Sequence, residues 1–259
     1  MPDPIFNHRR LAEIYDPLDP ERDDLEAYLA IIGEFGAGSV LDVGCGTGTL
    51  ACMLAERGLE VIGVDPAGAS LDVARKKPMA DRVRWLHGDA TNLPALQVDV
   101  ALMTANVAQV FLTDEDFSRT LRGIRSVLRP NGRLVFEIRD PAVKAWQDWN
   151  RDQTFKQTDI PGVGPVESWC DLVDVSGPLV SFRWNYAFAS DGAVITSDST
   201  LRFRERDEVT RALNESGFVV DGIRDAPDRP GREFVFVASL VEQAAGENGR
   251  DPASYQTHA

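Results

Sequence analysis

Hydrophobic and polar positions follow two rhythms along this chain, and the change between them divides it. Up to about residue 140, short apolar runs recur with helical patterns between them. The runs "SVLDV" (39–43), "EVIGV" (60–64), "RVRWL" (82–86), "VDVALM" (98–103) and "RLVFEI" (133–138) read as strands. Most are too uniformly apolar for a half-exposed sheet and suit a parallel sheet covered on both faces. After the first, Leu50, Met53 and Leu54 repeat at helical spacing ahead of Gly58, a residue suited to a left-handed helix end. Thr113 and Asp116 have capping-box spacing, and Phe117, Leu121, Ile124 and Leu128 form one apolar stripe behind them. Upstream, Asp19 and Pro20 are expected to open a helix carrying Leu25, Tyr28, Leu29 and Ile32 and closing at Gly33.

Between about 150 and 204 the period becomes two. Val180, Phe182, Trp184, Tyr186 and Phe188 alternate with smaller or polar residues, Asp191 and Gly192 supply a tight-turn dipeptide, and Ile195 to Phe203 alternates again. Helical spacing returns at Val209, Ala212 and Leu213 before Gly217, and "FVVDGI" and "EFVFVASL" give two last strands. The fold class expected is therefore α/β: a doubly wound, mostly parallel, seven-stranded Rossmann-like sheet with an inserted antiparallel β-sheet. Residues 1–149, with an N-terminal helical segment, and 205–241 are assigned to the main domain, and 150–204 to the insertion. The aromatic stripe from Phe182 to Phe188 reads as core beneath the inserted sheet, while Trp146 and Trp149 either line a site entrance or staple the insertion. Residues 242–259 are polar and aperiodic, and disorder is expected there.

Composition narrows the partners. With 259 residues, 43% of them apolar, the chain can bury a sizeable core. A formal net charge of −14 repels nucleic acid and anionic membrane surfaces. Cys45, Cys52 and Cys170 lack metal-ligand spacing, so neither a metal site nor a disulfide framework is expected, and a reducing cytoplasm fits. The opening "MPDPIFNHRR" has no apolar signal core, and no run of about 18 apolar residues could span a bilayer, so a soluble, unexported protein is expected. Monomer and homodimer both remain open.

The stretch "VLDVGCGTGTLA" carries the chemistry. A glycine-rich turn from a first strand into a helix lets a ligand approach backbone N–H groups and the positive helix end. Gly44, Gly46 and Gly48 are spaced G-x-G-x-G, whereas dinucleotide sites use G-x-G-x-x-G. Asp42, just before the first glycine, is an awkward neighbour for a pyrophosphate. S-adenosylmethionine, with a sulfonium, an amino-acid end and no phosphate, is easier to accommodate. Asp65 ends the second strand, where a carboxylate can accept from both ribose hydroxyls. Asp89, after the third strand, is placed for an exocyclic adenine amine, and Asn106 follows the fourth at the ligand edge of the sheet.

On these residues the chain resembles the class I S-adenosylmethionine-dependent methyltransferases. "LDVGCGTG" is similar to their first motif, "VIGVDPA" to their second, "GDATNLP" to the adenine-contacting segment, and "LRPNGRLVFE" to their approach to the fifth strand. The resemblance spans roughly residues 38–140 and 205–240. It implies cofactor contacts from Asp42, Gly44, Cys45, Gly46, Gly48, Asp65, Pro66, Asp89, Ala90 and Asn106. It also implies that the insertion covers a small-molecule acceptor.

Methyl transfer needs chiefly alignment, since the sulfonium is already a good leaving group, and proximity can remove about 7 to 11 kcal/mol of barrier. A base is required for an oxygen acceptor and optional for a neutral amine. His8, Tyr15, Arg139 and Asp140 are the candidates for acceptor binding or base, with Arg139 suited to a substrate carboxylate or phosphonate. His87 reads as a strand-end residue and Cys45 as a small residue tolerated by the turn. Three alternatives stay open: a nucleic-acid methyltransferase, lacking here the N-P-P-[YFW] and Pro-Cys signatures and the right charge; a nicotinamide-dependent oxidoreductase; and a protein that binds S-adenosylmethionine without catalysis.

Overall fold

The computed structural model describes residues 1–22 and 24–241. The expectation of disorder for 242–259 lies outside the described residues. Helices α1 (Pro4–Asn7), α2 (Arg9–Leu18) and α3 (Asp24–Glu34) lead to strand β1 (Ser39–Val43). Then come α4 (Thr49–Glu56), β2 (Glu60–Asp65), α5 (Gly68–Ala74), β3 (Val83–His87) and β4 (Val98–Met103). Helix α6 (Asp114–Val127) feeds β5 (Leu128–Arg139). The insertion holds α7 (Arg151–Thr154), β6 (Lys156–Ile160), β7 (Gly164–Ser176), β8 (Leu179–Phe188) and β9 (Val194–Arg202). Helix α8 (Arg206–Glu215), β10 (Phe218–Asp225) and β11 (Glu233–Leu240) complete the described chain.

The main sheet has the order β10-β11-β5-β4-β1-β2-β3, parallel from β5 to β3 and antiparallel on both sides of β11. It is the doubly wound α/β sheet that the alternating pattern predicts. Uniform apolarity explains its burial: all five residues of β1 are covered. Leu41, Ala101, Met103 and Phe136 pack under α6, while Val40, Val100, Leu102 and Val135 pack under α3 and α4. Each of these side chains other than the small Ala101 contributes about 1.5–3 kcal/mol of burial. Chain direction leaves β1 toward β2 on one side and reaches β4 on the other. The loops after β1 and β4 therefore diverge and open a crevice at the carboxyl ends of the strands.

Four local expectations need correction. The helix expected from Asp19 and Pro20 begins at Asp24, because Asp19 instead ends α2 and the acidic Asp24 and Glu26 occupy the first turn. Gly33 lies inside α3, and the left-handed turn beyond it falls at Gly36. Leu128 starts β5 instead of extending the α6 stripe, and β5 begins five residues before Arg133, with a register shift against β4. Strands β6 and β7 were not individually legible, since β6 is largely exposed and a register shift between Leu172 and Asp174 breaks the alternation in β7.

The inserted sheet is antiparallel in the order β6-β7-β8-β9. Its Ile160, Val166, Tyr186 and Phe188 bury against Ile5, Leu11 and Ile14 of the N-terminal helices. Phe182 takes no part in that cluster and meets Trp149 at 4.6 Å, while Trp146 meets Phe203 at 4.6 Å. Among the described residues, no helix is long and apolar enough to cross a membrane.

Candidate active site

A cavity of about 710 Å³ occupies the crevice, walled by the glycine turn, the loops after β2, β3 and β4, the N-terminal helices and β9. Of the proposed site residues it brings together Tyr15, Asp42, Gly44, Cys45, Gly46, Asp65, Pro66, Asp89 and Ala90. Gly48, Asn106, His8, Arg139 and Asp140 do not line it.

The turn after β1 is built by its glycines in two ways. Gly46, at φ 53°, has nothing within 4 Å of where a Cβ would stand, so only its backbone conformation demands glycine. Its N–H donates to Asp65 Oδ2 at 2.8 Å, and Ala67 N–H donates to Oδ1 at 2.7 Å. Asp65 thereby ties the glycine turn to the turn after β2 while keeping acceptor capacity toward the cavity. Burial pushes the Asp65 acid up, and these two donors pull it down. Gly48, at φ 76°, faces the other way: a Cβ there would lie 2.4 Å from the Trp85 ring. Its role is close packing of helix on strand.

Asp42 is 1% exposed, and its Oδ1 has no hydrogen-bond partner. Burial first, and the Asp65 charge second, push its acid up to about 7, with Arg22 pulling the other way. Arg22 also lines the cavity and holds Asp24 by a fork of 3.0 and 3.1 Å. The Cys45 thiol is raised far above its usual range by burial, which makes it unreactive as a thiolate.

After β3, Asp89 accepts from Thr91 N–H at 2.8 Å through Oδ1. The β4 loop is held from below. Ala105 and Asn106 both adopt left-handed conformations, at φ 57° and 61°, uncommon for residues with a Cβ. Buried Glu137 accepts from Asn106 N–H at 2.5 Å and from the Tyr28 hydroxyl. Asn106 turns its side chain away from the cavity and donates to Glu233 at 3.3 Å, so Thr104 and Ala105 face the cavity in its place.

Tyr15 lines the cavity with its ring 5.8 Å from Phe6, and burial raises its phenol. His8 is exposed at the junction of α1 and α2. Asp140 caps the turn that follows it by accepting from Ala142 N–H at 2.8 Å. Arg139 donates to Gln109 Oε1 at 3.0 Å and lines a different pocket. His87 is exposed, with Nε2 3.1 Å from the Pro66 carbonyl.

A family model described as a methyltransferase domain matches residues 40–132, the segment that carries the glycine turn, Asp65, Asp89 and the β4 loop. By that match residues 40–132 are similar to a methyltransferase domain. A cypemycin N-terminal methyltransferase from Streptomyces sp. is 33% identical over 147 residues, 55% of this chain and 60% of that protein. The chain thus matches about three fifths of that relative's length. Among solved structures, the CcbJ methyltransferase of Streptomyces caelestis aligns with a TM-score of 0.73 at 23% identity, over 90% of this chain and 96% of that one. The sugar N-methyltransferase KedS8 from Streptoalloteichus sp. aligns with a TM-score of 0.70 at 20% identity, over 85% and 88%. These structural likenesses concern the fold.

The residues present fit the methyltransferase cofactor. Asp42 Oδ1 is an unpartnered buried acceptor suited to an ammonium, and Arg22 is a cation suited to the adjoining carboxylate. Five aspartates line the cavity against one arginine, a poor lining for phosphates. Sequence reasoning missed Arg22, Phe6 and the Thr104–Ala105 loop, because only tertiary packing folds the N-terminal helices over the crevice.

Proposed function

We propose that this protein is an S-adenosylmethionine-dependent methyltransferase acting on an amine nitrogen of a small molecule. The observation that carries the reading is the buried, unpartnered Asp42 oxygen beside the glycine turn. Asp42 would hold the cofactor's ammonium, Arg22 its carboxylate, Asp65 its ribose and Asp89 its adenine. When bound, the cofactor supplies a methyl group made electrophilic by the sulfonium. Tyr15, Phe6 and Phe111 close the cavity from the side of the N-terminal helices and the β4 loop, excluding water from the transfer. The cavity lining among the described residues includes no histidine, lysine or glutamate; with Asp42, Asp65 and Asp89 given to the cofactor, the carboxylates left to serve an oxygen acceptor as base are Asp3, which accepts from Ser199, and Asp198, which pairs with Arg183. A neutral amine needs none. Relatives with amine acceptors in their names, the sugar N-methyltransferase and the N-terminal methyltransferase, support the same class. Asp3, Ser199 and Thr200 on the far wall bring the N-terminal segment and β9 to the acceptor side. We also place the protein in a reducing cytoplasm, in keeping with its free cysteines.

The test is calorimetry with S-adenosylmethionine and NADH, followed by incubation with a panel of small amines and quantification of S-adenosylhomocysteine. Binding of S-adenosylmethionine with amine-dependent turnover is expected. NADH binding without S-adenosylmethionine binding overturns the cofactor assignment, and turnover only with hydroxylated acceptors overturns the amine.

A further inference from the structure

A second pocket, of about 500 Å³, lies at the ends of β5 and β11, and the methyltransferase reading makes no use of it. Asn106 stands between the two: its neighbour Ala105 lines the first cavity, while its own amide donates to Glu233 in the second. The linings have opposite polarity. The first has five aspartates and one arginine, whereas the second has Arg139, Arg229 and Arg232 against Glu233 and Asp148. In a chain of net charge −14 such a reversal is a local feature that repels cations and admits an anion.

The arginine pairing inside this pocket is incomplete. Glu233 is 5% exposed, and its Oε1 takes Arg229 Nη1 at 2.8 Å and Asn106 Nδ2 at 3.3 Å, while Arg139 Nε stays at 3.9 Å. Arg229 also pairs with Asp228, at 3.3 Å. A guanidinium has five N–H donors, and Arg139 commits Nη1 to Gln109 at 3.0 Å. Burial, reinforced by the Arg229 charge, lowers the Arg139 pKa although Glu233 opposes the change. A desolvated cation with spare donors is the group that gains most from an oxyanion. Trp149 lines the same pocket, with the Arg139 guanidinium 5.9 Å from its ring.

We infer that this second pocket binds the carboxylate or phosphate of a small molecule, with Arg139 and Arg229 as donors and Trp149 against its flat body. Sodium benzoate and inorganic phosphate are the probes, titrated separately into the full chain at low ionic strength by calorimetry and by tryptophan fluorescence. Saturable binding of benzoate assigns a carboxylate, and binding of phosphate alone assigns a phosphoryl group. Arg139→Met weakens the bound probe about tenfold or more, and Arg139→Lys, which keeps charge without the fork, also weakens it. Trp149→Phe removes the fluorescence change while the heat of binding remains. S-adenosylhomocysteine affinity, measured on the same samples, stays at the wild-type value in Arg139→Met and reports an intact fold. Absence of saturable binding by both probes, or equal binding by Arg139→Met, overturns the assignment. Loss of S-adenosylhomocysteine binding by the wild type would instead overturn the methyltransferase reading.

Discussion

Asp42 shows how a single residue can be legible in sequence and still acquire its chemistry from the fold. Its place before the glycines argued against a pyrophosphate, but the orphaned oxygen and an acid lifted to about 7 arise from burial beside Asp65. Replacing it with asparagine is expected to weaken S-adenosylmethionine binding by about 1.5–3 kcal/mol, the worth of a charged hydrogen bond, as read by calorimetry. The melting temperature of the free protein should not fall, because a desolvated carboxylate has been removed. Unchanged affinity would take Asp42 out of the site. The sign of the pH effect follows from the same burial. A cation against Asp42 lowers its pKa, so binding releases a proton, and affinity should rise with pH until about 7 and level off above it. Calorimetry in buffers of different ionisation enthalpy measures that proton; proton uptake would contradict the assignment. In the free protein, Asp42 and Glu137 are both pushed up to about 7, above their unfolded values. Their contribution to stability is fully present below the unfolded carboxylate pKa and is lost as pH rises through about 7. Urea midpoints should therefore be lower at pH 8 than at pH 5, and less so with S-adenosylmethionine bound.

The glycine turn and α6 carry the argument at the scale of elements. Gly46→Ala meets no atom and should cost about 1–2 kcal/mol for the left-handed conformation alone. Gly48→Ala adds a collision with Trp85 and should lose about 3 kcal/mol or more in denaturant unfolding. Equal losses would mean that Trp85 gives way freely. Sequence spacing placed three glycines in one ligand turn; it could not separate a backbone that faces the cavity from one pressed on a helix–strand contact. The α6 start was legible because its signal is local: Thr113 Oγ1 accepts from Asp116 N–H at 3.1 Å, as the capping spacing predicts. The start of α3 was less so. Pro20 and Asp19 satisfy the same local rules, but α2 had already claimed Asp19 as its end.

At the scale of the whole molecule, the N-terminal helices join the two sheets and close the cavity. Asp16 is the fastening: it accepts from Thr47 at 2.7 Å and pairs with Lys77 at 2.7 Å, fixing α2, and Tyr15 with it, to the glycine turn and the segment that follows α5. Asp16→Ala is expected to cost about 1–3 kcal/mol. It should also speed hydrogen exchange in α1 and α2 selectively, and S-adenosylhomocysteine should restore protection; uniform acceleration across both sheets would argue for global destabilisation instead. By itself the sequence determined the doubly wound sheet, the inserted antiparallel sheet, the glycine turn and the carboxylates at the ends of β1, β2 and β3. Those features rest on periodicity and on residues close together in the chain. Only the tertiary structure decided that Arg22 and Phe6 reach the cavity, that Asn106 turns to Glu233, and that Arg139 serves a separate pocket. Each of those outcomes depends on contacts between segments distant in the chain, which no local pattern encodes.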